Sequence, residues 1–151
     1  GQIPFYYNRR KSGRGHQGFY KDITSDPLYP FGHGLSYTEF KYGTVTPSVT
    51  KVKRGDRLSV EVTVTNVGAR DGGESVHWFI SDPYCSITRP VKELKNFEKQ
   101  LIRAGETKSL RFDIALERNF GFVNEDGKRF LEAGEYHILV QGQTVKIELI
   151  D

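Results

Sequence analysis

The chain has 151 residues, 22 basic and 19 acidic side chains, a formal net charge of +3 and a single cysteine. That length holds one domain of about 110 residues plus a leader, and is too short for a barrel enzyme of roughly 250 residues. Cys85 alone excludes an internal disulfide framework, no window approaches 18 consecutive apolar residues, and the polar start lacks the apolar stretch of a signal peptide.

In chain order, the first segment is Gly1-Gln2-Ile3-Pro4-Phe5-Tyr6-Tyr7, in a chain without methionine, and an excised piece of a longer protein is the expectation. The basic run Asn8–Gly15 carries most of the charge excess; its glycines and serine make it a solvated loop rather than a nucleic-acid surface. Gly13, Gly15 and Gly18 match the bare Gly-x-Gly-x-x-Gly spacing, but no apolar strand precedes them and no helix follows, so a dinucleotide site is discarded. Residues 28–40 set five aromatic or imidazole rings among Pro30, Gly32 and Gly34. Pro30 pushes Tyr29 toward an extended conformation, and the rings have to find cover. Such a segment fits a plug packed between two domains, with Tyr29, Phe31, Tyr37 and Phe40 as the packing residues.

From residue 57 onward the apolar period is two. Leu58, Val60, Val62 and Val64 alternate with polar residues up to Asn66-Val67-Gly68; Val76, Trp78 and Ile80 follow, then Leu110, Phe112 and Ile114, then Tyr136, Ile138 and Val140, then Val145, Ile147 and Leu149. Segments at about 40–47 and 92–101 bring the count to seven. The expected fold is therefore an all-β, immunoglobulin-like or fibronectin type III-like antiparallel sandwich over residues 39–151, with an extended leader and linker over 1–38. A jelly roll would want eight strands. Tyr136, shortly after Gly134, is placed to turn its hydroxyl back on the preceding backbone as a tyrosine corner, and Gly142 is placed to supply a positive φ in the last hairpin. Residues 119–130 read as a long excursion before that corner.

The chemistry-bearing residues form no convincing constellation. Asp71 with Glu74, and Glu125 with Asp126, are acidic pairs of the kind a glycosidase needs, but both sit in turn sequences. His16, His33, His77 and His137 are far apart, with His77 and His137 on the outward register of their strands, and no metal, cofactor or catalytic residue is assigned. Cys85 is not read as a catalytic thiol. A second reading makes the domain a carbohydrate- or protein-binding module through Tyr84, Phe97, Phe120 and Phe122, the rings stacking on sugars or on another protein.

Tyr29-Pro30-Phe31-Gly32-His33-Gly34-Leu35-Ser36-Tyr37-Thr38 resembles the PFGxGLSYT signature of glycoside hydrolase family 3, the β-glucosidases and β-xylosidases. Further matches follow in the family's order: residues 62–68 with Asp71-Gly72, Ile80–Pro83, Arg89–Lys99, Ala104–Lys108 and Ala133–Tyr136. The resemblance implies a parent with a catalytic barrel, an α/β sandwich domain and a C-terminal fibronectin type III-like domain, which is the part in hand. Residues 1–7 then look like the closing strand of the α/β domain, and residues 8–38 like its tail and connection. The family's nucleophilic aspartate and acid/base glutamate lie upstream, so the partner implied is the catalytic body of the same polypeptide. By the same resemblance the parent is a retaining enzyme, periplasmic or secreted.

Overall fold

Alternating strands leave one apolar face each, and two sheets of such strands cover one another. The computed structural model describes residues 6–10 and 26–151. Its elements run Phe40–Tyr42 (β1), Thr46–Pro47 (β2), Lys51–Lys53 (β3), Leu58–Asn66 (β4), Gly72–Ser81 (β5), Glu93–Ile102 (β6), Thr107–Ile114 (β7), Leu116–Asn119 (α1), Phe122–Val123 (β8), Arg129–Phe130 (β9), Gly134–Val140 (β10) and Gln143–Ile150 (β11). One sheet is built on β4, which pairs with β7 along one edge and with β1 and β2 along the other. The second has the order β3-β11-β10-β5-β6. Between them lie Val60, Val62, Val64, Trp78, Ile80, Ile138 and Ile147, all at the alternating positions the sequence indicates.

Two expectations change in detail. The segment at 40–47 is two short strands, because the backbone between them is diverted: the Gln143 amide donates to the Gly43 carbonyl (2.8 Å) and its oxygen accepts from the Val45 N–H (3.1 Å). Pro47, which has no N–H to give a ladder, then ends β2 at the edge. The next piece, β3, joins the other sheet and pairs parallel to β11, so the sandwich is not wholly antiparallel. A register shift between Trp78 and Phe79 sets Asn96 opposite Trp78 and Leu94 opposite Phe79, leaving Lys95 as the extra residue.

The last hairpin turns on Gln141 and Gly142, with φ of 45° and 77°, the two consecutive left-handed residues of a tight two-residue turn. Tyr136 makes the expected corner, its hydroxyl donating to the Glu132 carbonyl at 2.8 Å while its ring stacks on Phe120 (centroids 4.2 Å, interplanar 8°). The excursion before it is not featureless: it holds α1 and the β8–β9 hairpin. Arg89 fastens that excursion to the β5–β6 loop. Its guanidinium is buried, pairs with Asp82 and Glu93 at 3.0 Å each, donates to the Phe120 carbonyl at 2.7 Å and lies over the Phe122 ring. Burial opposes its charge, but the hydrogen bonds to Glu93 and Asp82 outweigh that and raise its pKa.

Tyr136→Phe removes one hydrogen bond and little volume, so it should cost about 1 kcal/mol, read as a lower urea midpoint at unchanged m. Partial burial acts to raise the Glu132 pKa, yet hydrogen bonds from Ser86 and Cys85 leave it below the ordinary carboxylate value. A carboxyl whose pKa is lower folded than unfolded stabilises above the unfolded value, and that contribution is lost as pH falls through the folded one. The stability gap between the natural chain and Glu132→Gln should therefore narrow as urea melts are repeated downward through about pH 4.

Candidate docking surface

The linker becomes fixed at Thr38. Its hydroxyl donates to Asn66 Oδ1 at 2.7 Å, and the adjoining Glu39 carbonyl accepts from the Val67 N–H at 2.9 Å. Asn66 is fully buried at the end of β4. Its amide nitrogen donates to the carbonyls of Arg70 (2.7 Å) and Ile102 (2.9 Å), and its oxygen also accepts from the Gly68 N–H (3.1 Å). Gly68 and Gly72 leave the space for this: a Cβ on Gly68 would collide with Thr38 Oγ1 and reach within 2.9 Å of the Glu39 nitrogen, and one on Gly72 would meet the Thr38 methyl at 2.5 Å. The motif residues 66–72 are thus a socket for Thr38, the last residue of the linker.

Upstream of that socket, Tyr7 and Phe31 lie on the outer face of the five-stranded sheet. Phe31 stacks on Tyr7 (centroids 4.1 Å, interplanar 22°), and both rings meet Phe79 edge-on. Phe31 also meets His77, while the Lys92 ammonium lies 4.6 Å from the centroid of the Phe79 ring. Main-chain contacts reinforce the rings: the Val91 N–H donates to the Arg9 carbonyl at 2.8 Å, Arg10 forms a β-bridge with Pro90, and the Leu94 N–H donates to the Tyr7 hydroxyl at 3.3 Å. Phe79 is buried by this cover, although its place in the alternation points it away from the core. A groove of about 430 Å³ runs between Tyr7, Arg9, Tyr29 and Phe31.

The four expected packing residues separate into two groups. Phe40 belongs to the sandwich itself, packed against its core from β1, and Phe31, 51 % exposed, is engaged on the outer face. Tyr29, 69 % exposed, touches His33, and Tyr37 is 94 % exposed. Leu35, at 95 %, is a further exposed apolar residue of the linker that ring-based reasoning passed over. Leu28, 85 % exposed, belongs with them, so Leu28, Tyr29, Leu35 and Tyr37 hold most of the linker's uncovered apolar surface.

The other candidates disperse. Asp71 accepts from the Ala104 N–H (2.9 Å) and Glu74 from the Tyr42 hydroxyl (2.6 Å), so each is committed to a different structural contact. Burial, then the Glu74 hydrogen bond, raises the Tyr42 pKa. Glu125 and Asp126 are exposed in the β8–β9 turn. His137 is outward as expected and bonds to Glu135 at 2.6 Å, whereas His77 is half-covered by the linker. Burial pushes the Cys85 thiol up to about 11, away from thiolate chemistry at neutral pH. Phe120 and Phe122 are buried, which removes them from the four candidate stacking rings and leaves Tyr84 and Phe97 of that set exposed. His16, the glycines at 13, 15 and 18 and the basic run beyond Arg10 lie outside the described residues, and among the described residues no group of three or more His, Cys, Asp or Glu is placed to hold a metal.

Residues 74–144 match the family model of the fibronectin type III-like domain. Over 156 aligned residues the chain is 35 % identical to a periplasmic β-glucosidase of Salmonella typhimurium, covering 98 % of this chain and 20 % of that protein. It is 38 % identical over 142 residues to a β-xylosidase of Formosa agariphila, covering 93 % of this chain and 19 % of the relative. Among solved structures, a β-glucosidase from Erythrobacter marinus superposes with a TM-score of 0.89 at 38 % identity, over 98 % of this chain and 20 % of that one. The chain thus spans about a fifth of the length of the relatives it matches. With its sandwich, its ordered motifs and its relatives in agreement, the chain belongs to glycoside hydrolase family 3, as the fibronectin type III-like part of such a protein.

Proposed function

We propose that this chain is a non-catalytic accessory domain that stabilises the catalytic domains of its parent, a glycoside hydrolase of β-glucosidase type acting on O-glycosyl bonds in carbohydrate metabolism. The observation that carries this reading is the linker surface: Leu35 and Tyr37 stand almost fully exposed directly before Thr38, which is locked into the sandwich. Exposed apolar side chains beside a rigid support fit a contact surface that awaits a partner. A partner is at hand in the parent, because the relatives are about five times as long as the part they share with this chain. Asp71 and Glu74 are committed to separate structural contacts and Glu125 and Asp126 stand exposed in a turn, so the reading assigns glycosidic chemistry to the upstream domains. Residues 1–38 are read as the tail of the preceding α/β domain and its connection, and residues 39–151 as the sandwich. A periplasmic or secreted location follows by analogy with the Salmonella relative, whose name places it in the periplasm.

Docking stabilises the parent through apolar area withdrawn from water, at about 25 cal/mol per Å². Truncating the full-length enzyme before Phe40 should lower its melting temperature and soluble yield; unchanged values after that truncation would remove the reading. Leu35→Ser with Tyr37→Ser, which leaves the sandwich core intact, should act in the same direction by about 2–4 kcal/mol of parent stability. Glycan titration of the chain, followed by tyrosine fluorescence because Trp78 is sealed in the core, should give no saturable change. A saturable response would favour the binding-module reading through the exposed Tyr84 and Phe97.

A further inference from the structure

We propose that Thr38 is a positioning residue whose hydroxyl fastens the linker to the sandwich and so fixes where Leu35 and Tyr37 meet the preceding domain. The identity of that partner rests on the docking reading above; the fastening itself does not. The exposed strip at Leu35 and Tyr37 meets the sandwich at this one side chain. Tyr37 is 94 % exposed and a Cβ built on Gly34 would meet nothing, whereas one residue after Thr38 the Glu39 carbonyl is already bonded to Val67, and Phe40 is paired with Asn66 in the sheet.

Thr38 is held in three ways at once. Its hydroxyl donates to Asn66 Oδ1, its Oγ1 side fills the space above Gly68, and its methyl fills the space above Gly72. The hydrogen bond is directional and the two glycine contacts are steric, so the side chain has one orientation rather than a range. Asn66 cannot yield to accommodate another, because its amide is fixed by the carbonyls of Arg70 and Ile102 on two other stretches of chain. A contact surface tethered one and three residues from such a point has little conformational freedom left to lose on association, and that lowers the cost of docking.

Two kinds of fastening predict opposite results. If the hydroxyl carries it, Thr38→Val, which keeps the shape, fails, and Thr38→Ser, which keeps the oxygen, holds. If mere filling carries it, the order reverses. The readout is hydrogen exchange of the Val67 amide, whose acceptor is the Glu39 carbonyl of the linker, with the Val62 and Val64 amides of β4 as internal controls. Thr38→Val should speed Val67 exchange about five- to ten-fold while leaving the controls unchanged, and Thr38→Ser should stay within about two-fold of the natural chain. Unchanged Val67 exchange in Thr38→Val, or the reversed order, overturns the fastening.

The parent enzyme supplies the second arm, with Thr38→Val compared with the Leu35→Ser, Tyr37→Ser pair. Both should lower its melting temperature. If the pair acts and Thr38→Val does not, the positioning role is overturned. If the pair has no effect while Val67 exchange still follows the hydroxyl, the docking reading falls and the fastening stands.

Discussion

Asn66 has two acceptor positions and two donors, and all four are used, on three stretches of chain: the Thr38 hydroxyl, the Gly68 N–H and Arg70 carbonyl of one turn, and the Ile102 carbonyl. Its own backbone continues the network, the N–H donating to the Glu106 carbonyl and the carbonyl accepting from the Gly105 N–H, both near 3.0 Å. One buried residue thus joins the linker, the end of β4, the turn before β5 and the β6–β7 turn. A buried amide is tolerable only when every position is filled, and an unfilled one costs about as much as the bond it lacks. Four chain segments must therefore arrive together, and the end of the sandwich that faces the linker is set by that condition.

The aromatic segment divides according to distance from this hub. Phe40 follows it in the strand and packs inward, while Tyr37 and Leu35 precede it and find nothing to cover them. Farther back, Phe31 finds Tyr7 and Phe79 on the outer face and brings the early residues into contact with the 90–94 segment. The linker is consequently tied at both ends of its described course, by stacked rings at one and by a hydrogen-bonded hydroxyl at the other. What remains apolar and open between the ties is a short, defined strip rather than a loose tail.

A second polar device works near the tyrosine corner. Arg89 draws Asp82, Glu93 and the Phe120 carbonyl around one guanidinium, whose fixed fork of donors suits several acceptors at once. Phe120 in turn stacks on Tyr136, whose hydroxyl closes the corner on Glu132. The excursion at 119–130 is ordered by this chain of contacts and not by regular pairing, since its only hairpin is two residues on each side. Asn66 and Arg89 both stand within the motifs by which the sequence resembles family 3 proteins, and in this structure both are employed in holding segments together.

The sandwich is legible in the amino-acid order alone. Its signal is local, because a period of two can be read from side chains a few residues apart, and the inward positions of β4, β5, β7 and β10 emerge where the alternation puts them. The tyrosine corner and the Gly142 turn were legible for the same reason, each spanning only a few residues. Which aromatics stay exposed depends on contacts between distant segments. Phe79 and Phe120 are covered by Phe31 and Tyr136, distant in the chain, and Thr38 acquires its role from Asn66, 28 residues away. Exposure is a property of what comes to lie on top of a residue, and that is settled by packing between segments whose meeting no local pattern records.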